Sequence, residues 1–212
     1  MATDAYLLNW VQQTNQPTLR IYSWDRESVS FGYFQSYVDI AALTPVRPLV
    51  RRPTGGGLVS HLQDWTYSVA IPNTQPWYQL KACESYCRIH RWVNDALNNM
   101  GISSSLAVNA NPTGPGQCFL GAEENDILFK GFKIAGAAQR RTREGLLIQG
   151  SVQISGITTK DRLPEWIESI KETGSRKHNT QWNLQTLDKD SIQEIDELVQ
   201  LRFQTESFLK RR

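Results

Sequence analysis

At 212 residues, with 40% apolar and 21% charged residues, the chain is long enough to bury a full core and too apolar for a disordered protein. A formal net charge of +2 makes no case for nucleic acid, and no apolar run approaches the roughly 18 residues of a membrane span. Three cysteines, an odd number, argue against a disulfide framework, and without a basic-then-apolar signal peptide the expected home is the cytoplasm.

The first periodic segment is 4–11, where Ala5, Leu8 and Val11 recur at helical steps. Segments 19–24 and 28–33 flank the polar Asp25-Arg26-Glu27 and read as a hairpin. A short helix over 38–43 stops at Pro45. A strand over 46–52 then runs into Arg51-Arg52-Pro53-Thr54-Gly55-Gly56-Gly57-Leu58-Val59-Ser60-His61. Three successive glycines carry an entropic cost, and what they offer is bare backbone whose N–H groups can be aimed at one anion. Arg51 and Arg52 add forked donors suited to carboxylate or phosphate. The plainer alternative is a glycine-rich hairpin turn between strands 46–52 and 58–61.

Over 64–71, Trp65, Tyr67, Val69 and Ile71 alternate on one face, as in a strand. The segment 80–100 is the clearest helix, with Cys83, Tyr86, Cys87, His90, Val93, Leu97 and Met100 in a stripe and Gly101 as its stop. Nothing nearby completes a tetrahedral metal set, so core packing is the expected role of Cys83, Cys87 and His90. A loop rich in Gly, Pro and Asn covers 109–117. Strands follow at 126–130, 133–139 and 146–154. Segments 164–171 and 191–208 read as surface helices, the second with Ile192, Ile195, Leu198 and Val199 inward, and the polar 173–183 is expected to be mobile. The fold class is α/β, a mixed, largely antiparallel sheet backed by helices, with 1–212 as one domain.

Asn125-Asp126 and Gly131-Phe132-Lys133-Ile134-Ala135-Gly136-Ala137-Ala138 form a second motif. In this order and separation the two motifs resemble the lipoate–protein ligase and cysteine-dependent octanoyltransferase family. Its signature is R-R-x-T-G-G-G followed by H, then N-D near G-x-K-I-x-G-x-A. Gly32-Tyr33-Phe34-Gln35 matches a further G-Y-F-Q element. The likeness is strongest over 1–151. It implies the catalytic domain shared by biotin and lipoate ligases, and transfer of an octanoyl or lipoyl group to a lysine of a lipoyl-type carrier domain. The family places a strand, in an N-M-A-x-D-E type motif, before the first helix. This sequence starts at Met1-Ala2-Thr3-Asp4, so either the true start lies upstream or the sheet lacks that edge. The different arginine- and glycine-rich loop of biotin ligases is not seen, which disfavours biotin as substrate.

Lys133 stands between Phe132 and Ile134, where an ammonium costs desolvation unless an anion meets it. The alternative is an outward-facing lysine on a half-exposed strand. The resemblance makes Lys133 catalytic, contacting the acyl carbonyl and, if an acyl-adenylate is used, its phosphate. Cys118, in Gly116-Gln117-Cys118-Phe119, reads either as a small buried hydrophobe or as a nucleophile whose thiolate a nearby ammonium favours. Its Cys-Phe pair resembles the branch in which this cysteine carries the acyl group as a thioester. By the resemblance, the substrate-binding residues are Arg51, Arg52, Thr54, Gly55, Gly56, Gly57, His61, Asn125, Asp126, Gly136 and Ala137, and no metal is bound by the protein. His61 is expected to orient the loop, face the acyl pocket or act as a base. Arg140, Arg141 and Arg143 form either a solvated turn or a basic rim that steers acidic carriers.

Two routes compete. In the first, Cys118 takes the acyl group from acyl carrier protein and needs no cofactor. In the second, a lipoyl-adenylate made with ATP and Mg²⁺ is used, with a separate accessory protein as a further partner. Only about 60 residues follow Ser151, too few for an obvious accessory domain, which favours the first route. A third reading is a non-catalytic protein that binds carriers or adenylates, motivated by the start of the chain and by Ile148, where relatives often carry a polar residue. Neither nucleic acid nor membrane is an expected partner.

Overall fold

The computed structural model describes residues 1–111, 119 and 121–211. In chain order its main elements are α1 (Ala2–Thr14), β1 (Thr18–Tyr22), β2 (Val29–Phe31), α2 (Tyr37–Leu43), β3 (Leu49–Arg51), β4 (Val59–Ser60), β5 (Asp64–Pro72), α3 (Pro76–Gln79) and α4 (Ala82–Asn99). They continue with β6 (Ser104–Leu106), β7 (Ile127–Phe129), β8 (Phe132–Arg141), β9 (Gly145–Gln153), α5 (Leu163–His178), α6 (Lys189–Leu198) and α7 (Glu206–Leu209). One sheet has the order β1-β5-β9-β8-β7-β6, every neighbouring pair antiparallel. A second, of order β3-β2-β4, pairs β2 with β3 in parallel and with β4 antiparallel. The mixed, largely antiparallel sheet backed by helices is therefore as the sequence predicts.

In the large sheet, β5 and β9 are buried on both faces. Odd residues of β5 (Trp65, Tyr67, Val69 and Ile71) join Ile89 and Val93 of α4 and Trp166 and Ile170 of α5 in the main core. Removing each such aliphatic side chain from water contributes roughly 1.5–3 kcal/mol. Even residues point the other way. Ala70 packs with Leu147 under Leu7, Leu8 and Val11 of α1. The other even positions, Asp64, Thr66, Ser68 and Pro72, are buried too. β5 is thus buried on both sides, its polar face forming a hydrogen-bonded wall.

Other expectations are corrected. β1 and β2 do not form a hairpin but lie in different sheets. Residues 23–28 hold no two-residue hairpin turn, and β2 is buried along its length with a partner at each edge. The glycine segment is not a hairpin turn either, since β3 and β4 flank β2 on opposite sides. On α4 the inward stripe is Ser85, Ile89, Trp92, Val93, Ala96 and Leu97. His90 is buried, but Cys83 is exposed and Cys87 only half-buried. α5 is no surface helix: Trp166 stacks on Trp65 at 5.2 Å, and Trp92 donates its indole N–H to the Ile170 carbonyl at 2.8 Å. Segment 173–183 is anchored by buried Thr173 and by Trp182 against Trp92. The helix read over 191–208 changes to π-helical turns over Val199–Phe203 and stops before α7, and Ile192 is 49% exposed. The sequence reading also missed β6. The loop read over 109–117 lies mostly outside the described residues. No helix of the described chain is long and apolar enough to cross a membrane.

Candidate active site

Lys133 enters from β8. The β7–β8 pairing shifts by one residue, so Ile127 faces Ala135 while Leu128 faces Lys133. This bulge turns Lys133 toward Gly136. The Lys133 side chain is 7% exposed and its Nζ lies 2.7 Å from Oδ2 of Asp126, which is fully buried. Asp126 Oδ2 also accepts the Glu123 N–H at 2.6 Å, and Oδ1 accepts the Tyr86 hydroxyl at 2.5 Å. Burial and the Asp126 charge push the Tyr86 phenol well above its ordinary range, so it stays protonated and donates. Asn125, with φ +68°, occupies the left-handed region that asparagine tolerates and makes the turn that presents Asp126. Burial first, then the Lys133 charge, lowers the nearby His90 imidazole to about 3, so it is neutral.

The glycine segment is held from behind by Arg52. Its guanidinium donates to the carbonyls of Gly55 at 3.0 Å and Gly57 at 2.7 Å, and to Ser30 Oγ at 2.7 Å. Gly56 takes φ +83°. Gly32 allows the close approach, since a β-carbon there would meet the Gly56 carbonyl oxygen at 2.0 Å. Thr54 Oγ1 donates to Gln149 Oε1 at 2.7 Å, and Gln149 Nε2 donates to Asp4 Oδ2 at 2.6 Å. Buried Asp4 is also met by Arg20 at 2.9 Å and Ser68 at 2.7 Å. The loop is thereby tied through β9 to α1.

His61 continues the network. Its Nδ1 lies 2.8 Å from Asp64 Oδ2 and its Nε2 2.6 Å from Ser30 Oγ. Asp64 Oδ2 accepts, so Nδ1 carries a proton, and Nε2 shares its hydrogen bond with Ser30, whose oxygen accepts from Arg52. Thr66 and Ser151 donate to the same Asp64 oxygen at 2.8 and 2.7 Å, and Trp24 stacks on the imidazole at 4.2 Å. Both ring nitrogens are occupied, which is the geometry of a residue that orients its neighbours.

These parts adjoin one cleft, whose empty space is about 480 Å³ when the solvent at its open mouth is counted. Arg52, Gly56, His61, Gly136, Ala137 and Phe119 line it. The Phe119 ring stands 5.3 Å from Lys133 Nζ. Of the residues assigned to substrate in the sequence, Arg51 is turned elsewhere. All five of its N–H donors go to backbone: Tyr33 and Gln35 carbonyls from Nη1, and Leu209 and Arg211 carbonyls from Nε and Nη2. Thr54, Asn125 and Asp126 shape or hold other parts. Cys118 lies outside the described residues. Ile148 is 1% exposed in the main core, so its apolar side chain is a packing requirement. Arg140 and Arg141 part company: Arg140 Nη1 reaches the Pro53 carbonyl at 3.1 Å, whereas Arg141 reaches the Leu80 carbonyl at 2.7 Å. Sequence reasoning missed Tyr86, Ser30, Asp64 and Gln149. Only Asp64, three residues after His61, gave any local signal. Among the described residues, no group of three His, Cys, Asp or Glu gathers as a metal site.

The model of the lipoyl protein ligase A/B catalytic domain matches residues 1–211. Octanoyltransferase LipM of Exiguobacterium is 33% identical over 168 residues, covering 73% of this chain and 61% of that protein. LipM of Staphylococcus aureus is 32% identical over 165 residues, covering 72% and 60%. The chain thus matches about three fifths of the length of these curated relatives. Among solved structures, lipoate-protein ligase A bound with ATP aligns with a TM-score of 0.76 at 19% identity, covering 99% of this chain and 92% of that one. A bi-partite lipoate protein ligase from Thermoplasma acidophilum aligns at 0.72 and 19%, covering 99% and 89%. These two likenesses show the fold.

Proposed function

Because the chain belongs to the lipoyl protein ligase A/B catalytic-domain family, we propose that it is an acyltransferase that moves an octanoyl group from a carrier thioester to a lysine of a lipoyl-type domain. The observation that carries this is the Lys133 amine, fixed by Asp126 and flanked by two cavity-lining residues, Gly136 and Phe119. An acyl chain occupies the cavity and its carbonyl oxygen accepts a hydrogen bond from Lys133. That bond strengthens as the oxygen gains charge in the tetrahedral transition state.

Cys118, which Phe119 follows in sequence, is the nucleophile of this reading. Its thiolate attacks the donor carbonyl, the bond to the donor sulfur breaks, and that thiolate leaves and takes up a proton. The neutral amine of the acceptor lysine then attacks the Cys118 thioester. An amide forms, the amine proton is lost to solvent and Cys118 leaves as thiolate. No cofactor is needed, whereas the ATP-dependent route would require ATP and Mg²⁺. The relatives named octanoyltransferase support the first route. In this proposal residues 1–212 act as one catalytic domain.

The test is the intact mass of an apo lipoyl domain. One reaction holds octanoyl-loaded acyl carrier protein without ATP, the other octanoate or lipoate with ATP and Mg²⁺. Acylation from the carrier that disappears in Cys118→Ala supports the transferase. Acylation only with ATP, indifferent to Cys118, overturns it. Carrier binding with no acylation in either tube would favour a non-catalytic binder.

A further inference from the structure

Three arginines from distant parts of the sequence converge beside the glycine loop. Arg140 Cζ lies 4.8 Å from the Tyr33 ring centroid and Arg211 Cζ 4.5 Å from the same centroid. Arg211 also donates to the Tyr33 hydroxyl. Arg202 stands against Phe203 and Phe208 at 5.1 and 5.2 Å, and Phe208 packs near Tyr33 at 6.3 Å. Burial first, then the Arg140 charge and, more weakly, that of Arg211, lowers the affinity of Arg202 for its proton. Among the described residues, no carboxylate pairs with any of the three. Glu144 feels the charge of Arg140 without pairing with it, so the three like charges are only weakly compensated, a cost in free energy that a bound anion relieves.

The cluster is built into the site. Tyr33 N–H donates to the Thr54 carbonyl at 2.8 Å, and Arg140 donates to that of Pro53. Arg51 fixes the other side by gripping the Leu209 and Arg211 carbonyls. Arg140 lies two residues beyond cavity-lining Ala138 on β8, hence on the same face. From Lys133 to Arg140 is seven residues, about 23 Å at roughly 3.3 Å per residue. An extended pantetheine arm covers a comparable span from its thioester to its phosphate.

We propose that Arg140, Arg202 and Arg211 form a phosphate subsite that receives the phosphate of the acyl donor's pantetheine arm. Guanidinium forks match phosphate oxygens in pairs, which a surface lysine does not. The subsite rests on the transferase reading for its ligand but not for its existence. It makes the enzyme select donors by the phosphate as well as by the acyl chain.

Isothermal titration of the full chain with 4′-phosphopantetheine, pantetheine and ATP tests this. The wild-type protein is expected to bind the phosphorylated arm at least tenfold more tightly than pantetheine. Arg202→Gln and Arg140→Gln should each bring the two within about twofold, while Arg143→Gln, an exposed charge outside the cluster, keeps the preference. Equal binding of both arms by wild type overturns the proposal, and this comparison needs no variant. A preference that survives both cluster substitutions also overturns it. Arg202-dependent binding of ATP with no preference between the arms would assign the cluster to a nucleotide and overturn it as well. A companion assay follows transfer from octanoyl-phosphopantetheine to an apo lipoyl domain. A phosphate preference without transfer keeps the subsite and refutes the transferase reading, whereas transfer indifferent to phosphate does the reverse.

Discussion

A side chain at Gly136 would strike Lys133. A β-carbon there would lie 2.9 Å from Lys133 Cε, 3.2 Å from Nζ and 3.3 Å from Asp126 Oδ1. The bare backbone of the motif therefore serves the lysine, giving it room to fold back onto Asp126.

Gly136→Ala is accordingly expected to separate activity from stability. The atoms struck belong to the tip of a flexible side chain, so the fold yields cheaply, with a cost of about 1 kcal/mol at the low end of overpacking. The lysine, however, is displaced from the acyl carbonyl, and misplacement of about 1 Å costs on the order of 10²-fold in rate. Thermal melting alongside acylation kinetics checks this. Retention of wild-type rates would show that Lys133 works from a different position.

The Asp64 carboxylate predicts the opposite pattern. One oxygen accepts from His61, Thr66 and Ser151. Asp64→Asn places an amide where one of its two orientations aims N–H groups at donors, and the other loses the charge that strengthens all three bonds. Breaking a buried charge-centred network of this kind costs about 3 kcal/mol or more. Ser30→Ala removes the far end of the same chain. In a double-mutant cycle the two should couple through His61 by roughly 0.5–3 kcal/mol in chemical denaturation. Additive losses would mean that His61 does not transmit between them.

The contrast between these residues shows what the sequence could disclose. Gly136 and Lys133 lie three apart on one strand, so a local motif carries them. Asp126 is near enough for the same motif to include it. Tyr86 meets Asp126 from a helix forty positions away, and its helical stripe reads as ordinary packing. Gln149 joins Thr54 to Asp4 across 95 and 145 positions. Pairings of that kind are set by which strands lie side by side, and the alternation within β5 gave its apolar face only. Apart from β6, the strands themselves were visible, but their assignment to two sheets was not.

Arg51 shows the same limit from the other side, because its motif position suggested a ligand while its five N–H groups face the chain's own carbonyls. Arg51→Lys keeps the charge but has three donors in place of five and lacks the planar fork. The expected result is faster amide exchange across α7 and 206–211, with a loss of about 2 kcal/mol of global stability, since buried donors to several carbonyls cannot all be replaced. Unchanged protection of α7 would show that its packing, through Phe208, holds it without the arginine.

His90 gives the pH dependence of the fold. It is 0% exposed, neither ring nitrogen has a hydrogen-bond partner among the described residues, and the Tyr86 ring meets it edge-on at 4.1 Å. Burial, then Lys133, lowers its pKa to about 3, against about 6.5 when unfolded. Between those values the unfolded chain binds a proton at this residue that the folded chain excludes. The stability contribution is therefore whole above about pH 6.5 and falls as the pH drops toward about 3, by roughly 1.4 kcal/mol per unit. Asp126, Lys133 and Tyr86 surround the same corner, and half-buried His178, also lowered by burial and then by Arg88, adds a slope of its own. The diagnostic is thus a difference. Urea unfolding of wild type and His90→Phe at pH 7, 6, 5 and 4.5 should diverge, the wild type losing roughly 1.4 kcal/mol per unit more below pH 6. Parallel curves would mean that the imidazole is protonated in the folded state, with an acceptor drawn to it, and would reassign His90 from packing to the charge balance around Lys133.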